Sequence, residues 1–106
     1  LKGIVRRFLP KPGEGPSEDV QNNGWFRSTF IAEAEDGERK ICSIYGSGDP
    51  GYKSTSKLVC ESALTLARSV NLPGGDDYGG VLTSAAGLGE ELINRLKEAD
   101  IDFKVH

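Results

Sequence analysis

Gly46-Ser47-Gly48-Asp49-Pro50-Gly51, with Tyr52, Ser54, Thr55 and Ser56 directly behind it, gathers more chemically capable groups than any other stretch of the chain. Read literally, Gly46–Gly51 matches the G-x-G-x-x-G pattern of a dinucleotide-binding turn, after an apolar run and before a helical one. Such a turn aims the bare N–H groups of a helix N-terminus at a pyrophosphate. Two residues argue against that chemistry here. Pro50 has no N–H to give, and Asp49 puts a carboxylate where the phosphate would sit. A ribose-binding acid is expected about 20 residues on, at the end of the next strand. The chain instead runs through a helical stretch into Asn71-Leu72-Pro73-Gly74-Gly75, with no strand to carry one. The expectation is a turn that caps a helix and binds no cofactor by itself. A free-standing nucleotide-binding domain built on Gly46–Gly51 is the weaker alternative.

A second chemistry fits the same loop. Helix N-termini present unsatisfied N–H groups that suit a carboxylate or a developing oxyanion. Tyr52 adds a hydroxyl donor, Thr55 is placed to orient it, and Gly51 lets a ligand approach the backbone. Asp49, Gly51, Tyr52 and Thr55 are therefore the candidate substrate-binding residues, set against a plainer reading of capping plus a packed aromatic. No catalytic residue is assigned. The single histidine, His106, ends the sequence, so no internal Ser-His-Asp set exists, and no carboxylate pair stands apart from the solvated helix faces. Cys42 and Cys60 suggest neither a zinc site nor a disulfide framework, and both are expected to be free, buried thiols. No metal is expected.

The elements that must position this loop follow from periodicity. Residues 1–10 read as the tail of a helix stopped by Pro10 and Pro12, followed by a Pro/Gly linker and a short turn capped by Ser17 that ends at Asn22-Asn23-Gly24. Trp25–Ala34 alternates as a strand, Phe26, Phe30 and Ala32 against Arg27, Thr29 and Glu33. Asp36-Gly37 signals a tight primed hairpin turn into a return strand, Glu38–Gly46. A helix over Ser54–Ser69 gathers Val59, Cys60, Ala63, Leu64, Leu66 and Ala67 on one arc, expected to face the core, with Lys57, Glu61, Thr65 and Arg68 opposite. Leu58 falls off that arc. Thr83 caps a second helix, Ser84–Ala99, with Glu91 and Arg95 spaced as an intrahelical ion pair, and Ile101, Phe103 and Val105 alternate in a closing strand. The fold class is α+β: an antiparallel hairpin and a short mixed sheet packed against two amphipathic helices. Residues 1–24 form the helix tail and linker, and 25–106 the α+β domain.

Composition narrows the function. A chain of 106 residues supports one domain with a modest core, and 37% hydrophobic against 27% charged residues is that of a globular protein. A net charge of −3 gives no electrostatic case for nucleic acid. No apolar run approaches the roughly 20 residues of a membrane span, and no signal peptide is visible, so a cytoplasmic setting is expected. The chain begins Leu-Lys-Gly and contains no methionine, which reads as a processed chain or a piece of something longer.

Several ordered stretches together resemble one family. Gly48-Asp49-Pro50-Gly51-Tyr52-x-x-Thr55, Glu61 with Ala63 and Leu64, Leu72-Pro73, Gly79-Gly80-Val81-Leu82-Thr83, and Leu92-Ile93-x-Arg95-Leu96 are similar to the C-terminal region of saccharopine dehydrogenase-like oxidoreductases. Ser84 departs from the family's usual proline, at a helix position where proline is favoured but optional. The resemblance implies a longer parent with an N-terminal Rossmann domain holding NAD or NADP, this chain adding a substrate or dimerisation domain. It implies a small-molecule or lipid-like substrate, with a homodimer left open and the fragment alone inactive. Mycobacterial members act as trans-acting enoyl reductases in lipid synthesis. A non-enzymatic binding or lipid-associated module on the same fold is the alternative.

Overall fold

In a computed structural model the described residues are 13–75 and 79–106, so the expected helix tail over 1–10 lies outside them. The elements run α1 (Glu18–Asn23), β1 (Trp25–Glu33), β2 (Arg39–Ser47), α2 (Lys53–Arg68), α3 (Ser84–Glu98) and β3 (Ile101–Val105). Local chemistry sets their limits. The Ser17 hydroxyl accepts the Val20 N–H at 3.4 Å, with Glu18 and Asp19 at the positive end of α1. Thr83 caps α3 in the same way, accepting from Ala86 N–H at 3.3 Å.

The class is α+β, with a three-stranded sheet ordered β1-β2-β3. Both strand pairs are antiparallel, so the sheet is not mixed. The reason lies between β2 and β3. Lys57, early in α2, reaches Asp100, just past α3, at 3.7 Å, so the two helices run against each other. Three reversals of direction bring β3 back antiparallel to β2. The hairpin turn also differs from the primed form expected. Ala34 N–H donates to Glu38 O and Gly37 N–H to Ala34 O, with positive φ at Gly37 but not at Asp36. That is a longer loop closed by a glycine bulge, and Asp36 helps from the side by accepting the Glu38 N–H at 3.0 Å.

Leu88, Leu92 and Leu96 of α3 and Ile101 of β3 form the buried core, with Ile44, Leu72 and Phe103 packed against it. Gly89 gives α3 a kink, at φ 53° and ψ −139°, and a Cβ there would lie 2.6 Å from Pro73 Cγ. Helix α2 corrects the sequence reading. Its buried residues are Ser54 and Thr65, while Val59, Cys60, Ala63, Leu66 and Ala67 are exposed. The face expected to be solvated is the one that meets α3. Thr65 tolerates burial because its hydroxyl donates to Glu61 O at 2.7 Å, and Glu61 is neutralised by Arg95 at 2.8 Å. Arg95 thus pairs across the helices and not with Glu91. Both cysteines are free as expected, but neither is buried: Cys42 is half-buried and Cys60 exposed.

Candidate functional site

The loop between β2 and α2 is built around Asp49. Its carboxylate accepts the Tyr52 N–H through Oδ2 at 2.9 Å and the Lys53 N–H through Oδ1 at 3.1 Å, and its carbonyl accepts the Ser54 N–H at 2.9 Å. Ser54 sends its hydroxyl back to Gly48 O at 3.0 Å. Thr55 donates its hydroxyl to Pro50 O. The loop is tied to the end of α1 as well: Gly48 N–H reaches Gly24 O at 2.7 Å, Asp49 N–H reaches Gln21 O at 3.1 Å, and Lys53 Nζ reaches Asn22 Oδ1 at 2.6 Å. A Cβ on Gly24 would sit 2.9 Å from the Asp49 backbone, so the approach needs glycine.

This geometry does not fit a pyrophosphate. The first N–H groups of α2 are taken by a carboxylate of the same loop, and Pro50 offers none. No nucleotide step is assigned to Gly46–Gly51. Of the candidate binding residues, Asp49 and Thr55 spend their polar atoms on the loop itself. Tyr52 is exposed, with its ring over Gly15, where a Cβ would lie 3.3 Å from Tyr52 Cζ.

Two surfaces that spacing did not single out come from the sheet. On the helix side, Phe26, Ile44, Leu58, Leu92, Ile93 and Phe103 line an apolar groove of about 760 Å³ between the sheet and the two helices. Strand alternation supplied Phe26 and Phe103 and the α3 stripe Leu92 and Ile93, whereas Ile44 was not singled out and Leu58 stood off the α2 arc; only the packing shows that together they leave a gap. On the open side, Arg27, Ser43, Tyr45, Asp102, Lys104 and His106 surround a polar hollow of about 350 Å³. There Ser43 Oγ and His106 Nε2 lie 2.9 Å apart and Trp25 stacks on Tyr45 with centroids 6.1 Å apart. The strand register brings these residues side by side from three separate segments. Among the described residues no three His, Cys, Asp or Glu side chains are grouped to hold a metal, and no helix is long and apolar enough to cross a membrane.

The chain is 38% identical over 103 residues, 97% of its length, to a Mycobacterium tuberculosis protein named "Putative trans-acting enoyl reductase Rv2449c". It is 36% identical over 98 residues to a trans-acting enoyl reductase of Mycobacterium leprae, and 35% identical over 98 residues to one of Mycobacterium tuberculosis. The chain spans about a quarter of the length of these relatives, 24% of the first and 23% of the others. No family model and no solved structure matches it.

These findings correct the family expectation. The matching relatives are named as enoyl reductases, so the assignment to a saccharopine dehydrogenase-like protein, and to a C-terminal domain of one, does not stand. The reductases that the resemblance included only as members are the proteins that match. The physical reason is visible in the loop. Gly48, Asp49 and Thr55, which carried much of the resemblance, do turn and capping work that many strand–loop–helix connections require.

Proposed function

We propose that this chain is part of a reductase that saturates the carbon–carbon double bond of an enoyl group and that it supplies walls for the acyl chain. The observation that carries this reading is the identity of 38% held over 97% of the chain. The groove supports it. At about 760 Å³ it falls inside the roughly 300–1,000 Å³ of small-molecule sites, and its lining offers dispersion contacts to an alkyl chain.

Reduction of an enoyl group needs a hydride at the β carbon and a proton at the α carbon. NADH or NADPH is the hydride source in this proposal, held by a Rossmann domain elsewhere in the parent, because in the Gly46–Gly51 loop Pro50 has no N–H and the Asp49 carboxylate takes the Tyr52 and Lys53 N–H groups that a pyrophosphate would need. Tyr52 is the proposed polar contact of this chain to substrate. Asp49, Gly51 and Thr55 act through it, by fixing the turn that presents it. Acting in trans, the parent takes its enoyl group from a separate protein.

The test uses the full-length parent with an α,β-unsaturated acyl thioester, free or on a carrier protein, and NADH or NADPH. Mass spectrometry of the acyl product should show the gain of two hydrogens. An unchanged enoyl product with both cofactors and a folded protein would rule the reading out.

A further inference from the structure

The outward face of α2 is too apolar to be a solvent face. Val59 and Leu66 are 63% and 67% exposed and Val70, just past the helix, 86%, with Cys60, Ala63 and Ala67 exposed between them. Positions 59, 63, 66, 67 and 70 follow the spacing of a helical stripe that packs against a neighbour. On the opposite side, the same helix meets α3 through Glu61 and Thr65. The helix thus turns its hydrophobic stripe away from the core of its own chain.

The matching relatives are about four times as long as the chain, 24% of the first being covered.

We infer that the Val59–Val70 stripe of α2 is an internal seam, covered by an apolar element from the remaining polypeptide of a longer parent. The small residues Cys60, Ala63 and Ala67 let that element approach closely, and Val59 and Leu66 flank the contact. A second copy of the chain is the competing occupant. The inference rests on the reading that the parent resembles the longer relatives, but not on its activity.

Cys60 sits in the stripe and reports on it directly. The full-length parent is treated with a maleimide, native and in denaturant, and labelling of the Cys60 peptide is followed by mass spectrometry. The seam predicts native labelling at least about tenfold slower than denatured labelling, at every protein concentration. Equal rates would overturn it. Protection that disappears on dilution to a monomer would also overturn it, by assigning the stripe to a second copy. A parent with no reductase activity but a protected Cys60 would leave the seam standing and sink only the proposed function.

Discussion

Glu61 on α2 and Arg95 on α3 meet across the helix pair, Oε2 to Nη2 at 2.8 Å, and tie the polar side of one helix to the core-bearing helix. Their side chains are 21% and 28% exposed, which places the pair between a surface bridge and a buried one. The two limits differ in consequence. Exposed pairs contribute about 0–1 kcal/mol, whereas removing one partner of a buried pair costs about 3–5 kcal/mol. Arg95 Nε is buried without a partner, which lowers the net value of the arrangement.

Arg95→Ala should therefore destabilise the fold by about 1–2 kcal/mol, and Glu61→Ala in the same background should recover part of the loss. Urea denaturation of the two single variants and the double variant measures the coupling. Coupling indistinguishable from zero would reduce the contact to a surface pair.

Asp49→Ala removes the carboxylate that accepts the Tyr52 and Lys53 N–H groups where α2 begins, a loss comparable to that of an N-cap acceptor, about 0.5–2 kcal/mol. Asp49→Asn keeps one side-chain oxygen and should cost less. Thermal unfolding monitored by circular dichroism gives the order wild type, Asn, Ala. Equal melting temperatures for all three would mean that the carboxylate is dispensable to the helix.

Much of this loop was legible in the sequence because capping is local. Asp49 precedes a helix start, and Pro50 removes an N–H, so the failure of the glycine pattern as a phosphate cradle is readable without coordinates. Ser17 and Thr83 are legible for the same reason. The orientation of α2 was not. A helical wheel shows that Val59, Ala63 and Leu66 share a stripe, but not which neighbour covers it. The assumption that this chain's own core does so fails at Thr65, whose hydroxyl finds a partner in the preceding turn and so tolerates burial. Both the groove at Phe26, Leu58 and Phe103 and the polar hollow at Ser43 and His106 join residues distant in sequence, so neither could be read from spacing.

Gly46 is the single glycine of β2, and it faces Phe26 on β1. A Cβ there would fall 2.2 Å from Phe26 Cε1, across the β1–β2 pair. Gly46→Ala should cost about 1–3 kcal/mol through overpacking, and Phe26→Leu should relieve part of it. Chemical denaturation of the single and double variants tests this. A Gly46→Ala protein as stable as the wild type would show that the Phe26 ring moves aside freely.

The most direct measurement of the central claim is the chain-length dependence of enoyl reduction by the full-length parent, with and without Leu58→Trp. Leu58 lines the groove on the side of α2 away from the exposed stripe. If the groove holds the acyl chain, each added methylene contributes about 0.8 kcal/mol, or roughly fourfold in kcat/KM, until the groove is filled. Leu58→Trp should flatten that series for long substrates and leave short ones unchanged. A kcat/KM independent of chain length in both proteins would place the acyl chain elsewhere and contradict the account.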